Sequence, residues 1–207
     1  MYTPCAFKND DLDNLNAAMR MARLAILVSH DESGLQATHL PLLARQDAGG
    51  KTTLQGHLAK ANPHWQALAS GAQALVIFPG EDAYVSPSFY PSKADHGKVV
   101  PTWNYTAIHA YGSAEVFHDA TRLLAIVQAL TEKNEASRPS PWTVSDAPAG
   151  YIHSMLKAIV GFELRIERLE GKRKLSQNRS AEDIEGVRNG LAASRSERDQ
   201  ALAALIR

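Results

Sequence analysis

One stretch in the middle of the chain, residues 97–112, is dense in aromatic and hydrogen-bonding side chains and constrains the fold most strongly. The valines before Pro101 favour extended backbone, because a residue that precedes proline is driven out of the helical region. From Trp103 onward, successive side chains alternate between the two faces of a predicted strand. One face carries the aromatic residues and His109, and the other carries smaller or polar residues such as Asn104. The aromatic face either packs in a core or helps to form a cofactor pocket.

Short apolar runs between turn residues predict strands, and apolar residues at helical spacing predict helices. The predicted strands cover residues 24–30, 35–43, 51–58, 73–78, 83–86, 97–117 and 159–169. The predicted helices cover residues 10–23, 63–70, 119–134, 149–157 and 180–207. Residues 31–34 and 79–80 are predicted turns. The crossovers are too short and irregular for a doubly wound parallel sheet, so the hairpins favour an antiparallel barrel with peripheral helices, an α+β fold that is mainly β.

The chain has 207 residues, and we predict a single domain over residues 1–207 with a C-terminal helical extension at about 180–207. Its 22 basic and 22 acidic side chains give a formal net charge of zero. Direct DNA binding therefore has little electrostatic support, because it depends on neutralising phosphates. The basic excess near the C-terminus is too small to change this conclusion.

The sequence also indicates the cellular compartment. Cys5 is the only cysteine, so no intrachain disulfide can form, which fits a reducing environment. The apolar runs at 24–28 and 74–78 are far shorter than the ~20 residues that span a bilayer. The N-terminal residues lack the basic region and apolar stretch of a signal peptide. We predict a cytoplasmic protein without a membrane partner.

The segment at residues 56–63 (GHLAKANP) is the best phosphate-site candidate in the chain. A predicted strand ends here, and Asn62 followed by Pro63 is a preferred helix start. Free N–H groups at a helix N-terminus favour phosphate, and His57 and Lys60 would add donors. Neither of the glycine-rich nucleotide loops, G-x-G-x-x-G and G-x-x-x-x-G-K-[ST], occurs. The alternative is an ordinary strand-to-helix turn with a solvated lysine.

Two further sets of polar residues allow more than one interpretation. His39 interrupts an apolar strand, where it either bonds to backbone or donates to an anion or carbonyl in a pocket. Residues 169–179 (LEGKRKLSQNR) form a solvated basic turn, a second contact to an anionic cofactor, or a nucleic-acid patch. No metal-binding signature, no G-x-S-x-G and no suitably spaced carboxylate pair occurs, so we assign neither metal ligands nor catalytic residues.

Taken together and in order, these segments resemble the PaiB-type FMN-binding negative transcriptional regulators. The matching residues extend over nearly the whole chain, so their combination is far more specific than any one motif. They are Met1, Tyr2, Pro4 and Phe7, then ATHLP at 37–41, GHLAKANP at 56–63, YVSPSFY at 84–90, VPTWNY at 100–105, His109, Tyr111 and Gly112, AIVGF at 158–162, Gly171, Lys172, and KLSQNR at 174–179. Phe89 stands where the family often has Trp, and Lys60 where it often has Arg.

The resemblance implies a flavin-binding split β-barrel that is a homodimer with FMN at the subunit interface. In such proteins, basic and hydroxyl groups near a strand end and the following helix start hold the FMN phosphate. Here those positions correspond to His57, Lys60 and Asn62, with Thr38 and His39 on the neighbouring strand.

The resemblance further implies that the partner subunit closes the site over the isoalloxazine ring. The candidates for this closure are Trp103, Asn104, Tyr105, Lys174, Gln177 and Arg179. Because a buried phosphate without a cation is costly, Lys60, Lys174 and Arg179 are the expected neutralising groups.

The resemblance implies repression of transcription, but the sequence supports the flavin part of this function better than the DNA part. It shows no convincing helix-turn-helix, so repression without direct DNA contact stays open. One alternative is an FMN-dependent oxidoreductase that acts on a small molecule, with the cofactor performing the chemistry. Another is a haem protein with His39 or His109 as axial ligand.

Overall fold

The computed structural model describes residues 1–32 and 34–207, so Ser33 of the predicted turn at 31–34 lies outside the described residues. The chain forms two compact units. The terminal unit contains Met1–Asp11, Pro79–Ile108 and Glu170–Arg207, and the central unit contains Leu12–Phe78 and His109–Leu169. The sequence-based assignment of one domain with a C-terminal extension stays a prediction.

The described residues form ten strands and seven α-helices. The strands are β1 (Lys8–Asn9), β2 (Ala25–Asp31), β3 (Gly34–Leu40), β4 (Leu43–Gln46), β5 (Thr52–Ala59), β6 (Ala74–Val85), β7 (Thr102–Gly112), β8 (Ala114–Phe117), β9 (Ile159–Arg165) and β10 (Arg168–Lys174). The helices are α1 (Leu12–Met21), α2 (His64–Ala69), α3 (Ser92–His96), α4 (Ala120–Glu135), α5 (Ala149–Leu156), α6 (Ala181–Ala192) and α7 (Glu197–Ala203). In the described part of the chain, every helix is too short or too polar to cross a bilayer.

The strands form two sheets, with the orders β1-β10-β7-β6-β2-β3 and β4-β5-β9-β8. Within the terminal unit β1 pairs with β10, and within the central unit β2 pairs with β3 and with the first half of β6. The smaller sheet lies wholly in the central unit. These pairings are antiparallel, as are those of the smaller sheet, which agrees with the predicted α+β class.

Two predicted strand boundaries are wrong, and both involve proline. The predicted strand at 35–43 is divided into β3 and β4 at Pro41, because proline has no N–H to donate to a sheet ladder. The predicted turn at 79–80 is absent, since β6 continues through Pro79 and Gly80. A Cβ on Gly80 would lie 1.9 Å from Oγ1 of Thr106, so this glycine permits a close approach within a sheet.

Three further boundaries differ from the sequence predictions. The predicted strand at 97–117 is divided into β7 and β8, and the one at 159–169 ends at Arg165. Most of the basic segment is part of the unpredicted strand β10. The final helix is divided into α6 and α7, because Ser196 accepts a hydrogen bond from the N–H of Asp199 and caps the second helix. The helix predicted at 119–134 is confirmed, with the side chain of Asp119 accepting from the N–H of Arg122 at 2.8 Å.

Each unit has its own apolar cluster. In the central unit, α4 and α5 cover the smaller sheet through Phe117, Leu123, Ile126, Leu130 and Leu156. In the terminal unit, the buried residues are Ala83, Val85, Tyr90, Leu175, Val187, Leu191, Leu202, Ala203 and Ile206. Five of these nine residues lie within residues 180–207, so this segment contributes to the apolar core of its unit.

Candidate functional site

A buried histidine in the central unit connects the side chains of two neighbouring strands. His64, at the start of α2, is only 1% exposed. Its Nδ1 lies 2.9 Å from Oγ1 of Thr38, and its Nε2 lies 2.9 Å from Oγ of Ser29. The side chain of Asn62 donates to the same Thr38 oxygen at 3.1 Å and accepts from the N–H of His64 at 3.1 Å. Ser29, His64, Thr38 and Asn62 therefore form one network, which we call the His64 network.

Strand periodicity places both hydroxyl groups on one face. Leu27 of β2 lies opposite Thr38 of β3, and Ser29 follows Leu27 by two residues. Residues that oppose each other in a strand pair, and residues two apart on a strand, share a face. Since buried hydroxyl groups need hydrogen-bond partners, His64 satisfies the buried hydroxyl of Ser29, which would otherwise be costly.

The same periodicity separates His39 from the His64 network. His39 lies opposite Ile26, on the other face of β3 from Thr38, and its side chain is exposed. The structure therefore does not bring the predicted phosphate donors Thr38 and His39 to the same face. His109, the other haem-ligand candidate, is partly buried, with Nδ1 at 3.4 Å from the hydroxyl of Tyr111.

Lys60 lies between β5 and α2 on a well-fixed backbone. Its N–H donates to the carbonyl of Ala158 at 2.8 Å, and its carbonyl accepts from the indole N–H of Trp65 at 3.0 Å. Its ammonium is exposed and makes no ion pair or hydrogen bond within residues 1–32 and 34–207. Because α2 has only six residues and begins at His64, the side chains, rather than a helix dipole, would have to attract a phosphate here.

His57 occupies a different environment from the other phosphate-site candidates. It lines a pocket of about 370 Å³ with Ala59, Val127, Ile152, Met155, Leu156, Ala158 and Ile159. Its Nδ1 is buried and has no hydrogen-bond partner among the described residues. Burial lowers the pKa of the imidazole below its ordinary value of 6.5, so the ring is neutral at pH 7. This apolar lining is unsuited to a phosphate dianion.

We expect His57→Leu to raise the free energy of unfolding by about 1 kcal/mol at pH 7, because it removes an unpartnered buried polar atom. It should also flatten the dependence of stability on pH. The folded-state pKa of His57 is lowered, so the unfolded chain binds the proton first as pH falls below 6.5, and stability is lost between that pH and the folded-state pKa. Urea unfolding at pH 7, 6 and 5 measures both effects. His30→Leu, at an exposed histidine, is the control, and an unchanged pH slope in His57→Leu would contradict the expectation.

The terminal unit contains the candidates for ring closure, and Lys174 ties two strands of that unit together. Its ammonium donates to the hydroxyl of Thr102 and to the carbonyl of Trp103, both at 2.5 Å. Burial is the largest cause that lowers the pKa of Lys174, followed by the positive charges of Lys172 and Arg179. Three cations therefore lie close enough to repel one another, which is a favourable setting for an anion.

The other two cations of this group rest on aromatic rings. Lys172 is 7% exposed, with its ammonium 4.9 Å from the ring centre of Tyr105 and donating to the carbonyl of Tyr2 at 3.1 Å. The guanidinium of Arg179 lies 4.8 Å from the ring centre of Tyr90. These contacts explain how unpaired cations are tolerated in a partly buried setting.

The remaining closure candidates differ in what they can offer a ligand. Asn104 donates to Oγ of Ser176 at 2.9 Å, but its buried Oδ1 has no hydrogen-bond partner among the described residues. Gln177 accepts from the N–H of Leu175 at 2.7 Å, so it stabilises its own turn. Trp103 is 54% exposed, and its indole contacts the ring of Tyr84 edge to face at 6.0 Å. An exposed indole offers a flat surface on which an aromatic ligand can stack.

Sequence reasoning missed His64 and Ser29 as site residues, and it considered Lys172 only as part of the basic segment at 169–179. His64 directly follows the GHLAKANP motif. Ser29 lies on the same face of β2 as the apolar residues Ala25 and Leu27. A polar residue on the buried face of a strand needs a buried hydrogen-bond partner, so Ser29 could have indicated that such a partner exists. For Lys172, the basic composition of β10 hid the alternation that is typical of a strand.

No group of three or more His, Cys, Asp or Glu residues within the described ranges is placed to hold a metal ion.

Comparison with known proteins gives consistent results. The family model described as "Putative FMN-binding domain" matches residues 1–168. The Bacillus subtilis protein named Protease synthase and sporulation protein PAI 2 is 33% identical over 188 residues, covering 90% of this chain and 87% of its own. An uncharacterised protein of Emericella nidulans is 33% identical over 242 residues, covering 100% of this chain and 96% of its own.

A solved structure with a similar fold is that of the FAD and heme binding protein from Mycobacterium smegmatis. Its TM-score is 0.63 at 19% identity, over 86% of this chain and 78% of that one. At this identity the likeness concerns the fold, and it confirms the split β-barrel that the family resemblance implies.

Proposed function

This chain belongs to the family of FMN-binding domains, with FMN as its cofactor, and we propose that it is a negative regulator of transcription that binds FMN at a homodimer interface. The observation that carries the proposal is that Lys60, whose ammonium makes no ion pair or hydrogen bond with a described residue, is only two residues before Asn62 of the His64 network. Thr38 and Asn62 are partly exposed there, whereas Ser29 and His64 are buried. The resemblance to PaiB-type regulators supports the regulatory part.

The residues of the central unit fit the phosphate end of FMN. Lys60 provides a positive charge that no described acidic residue neutralises. Asn62 uses one amide hydrogen on Thr38 and keeps a second for a ligand. We therefore assign the phosphate to Lys60, Thr38 and Asn62, and leave His39 and His57 outside this group.

The residues of the terminal unit fit the flavin ring, and we propose that they act from the partner subunit. The exposed indole of Trp103 would stack on the isoalloxazine, with Tyr105 behind it on the same strand face. Asn104 lies on the opposite face of β7 from Trp103 and is only 1% exposed, so we leave it outside the ring contacts. Lys174 and Arg179 would place positive charge beside the ring, whereas Gln177 would hold the turn between them.

In this arrangement the protein residues bind and orient the cofactor and exclude water from one side of its ring. When bound, FMN would supply a redox-sensitive group. The net charge of zero gives no global electrostatic support for binding to DNA. We therefore propose that repression depends on flavin-linked assembly rather than on charge alone.

A flavin titration of the purified protein tests the cofactor and the assembly. We expect the absorption bands of bound FMN to saturate at one FMN per chain, with the mass of a dimer in solution. Saturation on a monomer would contradict the interface, and absence of binding at high FMN concentration would contradict the assigned site.

A second experiment separates the regulator from the oxidoreductase. Electrophoretic shift of promoter fragments at low salt, with and without FMN, should show a flavin-dependent complex if repression is direct. Rapid bleaching of the bound flavin by NADH or NADPH, together with no shift of any fragment, would instead favour an enzyme.

A further inference from the structure

The hydrogens of the His64 network can be assigned from the number of donors and acceptors alone, and we infer that Ser29 and His64 are positioning residues that fix Thr38 as a donor to an anion. The anion is the FMN phosphate, so this part of the inference rests on the proposed function. The assignment of the hydrogens does not.

Ser29 provides the starting point, because it is buried at 3% exposure. The only hydrogen-bond partner of its hydroxyl among the described residues is Nε2 of His64. A hydroxyl has one hydrogen to donate, and leaving that hydrogen without an acceptor in a buried setting costs about 1–3 kcal/mol. Ser29 therefore donates to Nε2, and Nε2 carries no hydrogen.

The position of the hydrogen on the His64 ring in turn determines how His64 bonds to Thr38. A neutral imidazole carries its hydrogen on one nitrogen, so an accepting Nε2 requires the hydrogen on Nδ1. Burial, opposed by the charge of Asp31, lowers the pKa of His64 from its ordinary value of 6.5, which supports the neutral ring. The Nδ1–H group then donates to Oγ1 of Thr38 across 2.9 Å.

Thr38 is left with one way to use its hydrogen. Its oxygen already accepts from Nδ1 of His64 and from the amide of Asn62, so both lone pairs are occupied. Its hydrogen must therefore point away from the network, and Thr38 is partly exposed. The free hydrogens of Thr38 and Asn62 give a pair of donors and no acceptor, which suits an anion and disfavours a cation or a donor.

Ring-nitrogen NMR of the free protein tests the assignment directly. Long-range ¹H–¹⁵N correlation spectra at pH 7 distinguish a protonated from an unprotonated ring nitrogen, and His64→Gln identifies the signals of residue 64. We expect the hydrogen on Nδ1, which is the less populated position in free histidine. A hydrogen on Nε2, or on both nitrogens at pH 7, would overturn the inference whether or not FMN binds.

Two substitutions test the positioning role. In His64→Asn, the side-chain amide can lie near the former position of Nδ1 and still donate to Thr38. In His64→Gln, the longer side chain places its amide near Ser29 instead. We expect His64→Gln to weaken FMN binding about tenfold relative to riboflavin, which lacks the phosphate, and His64→Asn to recover most of that loss. If the ratio of FMN affinity to riboflavin affinity is the same in both variants, the positioning role is contradicted, even if both variants are less stable.

The outcomes separate this inference from the proposed function. If wild-type protein fails to bind FMN but His64 carries its hydrogen on Nδ1, the proposed function is wrong and the hydrogen assignment stands. If FMN binds but the hydrogen is on Nε2, the inference is wrong and the cofactor site stands.

Discussion

Lys60→Ala is expected to weaken FMN binding by about 10- to 100-fold and to leave riboflavin binding unchanged. A hydrogen bond between two charged groups contributes about 1.5–3 kcal/mol, and each 1.4 kcal/mol corresponds to a factor of ten in affinity. Because the ammonium of Lys60 is exposed and makes no ion pair or hydrogen bond with a described residue, its loss should cost the folded protein little stability. Flavin fluorescence titration with both ligands measures the difference.

The matched control for this experiment is Lys51→Ala. Lys51 is also an exposed lysine of the central unit, so its loss changes the net charge equally. If Lys51→Ala weakens FMN binding as much as Lys60→Ala, the effect is long-range electrostatics and should disappear at high salt. If Lys60→Ala weakens riboflavin and FMN equally, Lys60 does not contact the phosphate.

Lys174 provides the competing location for the phosphate. It lies with Lys172 and Arg179 in the terminal unit, where three cations repel one another. If the phosphate binds there, Arg179→Ala rather than Lys60→Ala will discriminate between FMN and riboflavin. We use Arg179 for this comparison because Lys174 also holds Thr102 and Trp103, so its loss would disturb the backbone.

The sequence predicts those features of this fold that depend on neighbouring residues. Helix α4 with its Asp119 cap, and the alternation of β7, follow from local rules. The GHLAKANP motif correctly marks the strand end and the helix start around Lys60. Family resemblance adds the split barrel and the cofactor, which periodicity alone does not give.

The features that sequence reasoning missed depend on residues that meet only in the folded chain. His64 is 35 residues from Ser29, so nothing local shows that the two share a hydrogen bond. Thr38 and His39 are adjacent in sequence and both polar, yet strand pleating directs them to opposite faces. The turn predicted at Gly80 failed for the same reason, since the need for glycine comes from Thr106 on another strand.

Gly112→Ala is expected to reduce the free energy of unfolding by about 3 kcal/mol, the largest effect on stability that we predict. A Cβ at this position would lie 1.9 Å from the carbonyl oxygen of Arg165, far inside van der Waals contact. The neighbouring backbone cannot move away easily. The N–H of Arg165 donates to the carbonyl of Ser113 at 3.2 Å, and the N–H of Glu167 donates to the carbonyl of Tyr111 at 2.8 Å.

Gly150→Ala is the control for this substitution, because a Cβ there meets no atom within 4 Å. Gly150 lies in α5, where alanine is the better helix former, so we expect up to about 1 kcal/mol of added stability. Urea unfolding of the two variants should therefore shift in opposite directions. Equal midpoints for Gly112→Ala and wild type would mean that β7 and β9 do not approach as closely as described. The presence of Gly112 in the family motif would then have a cause other than this close contact.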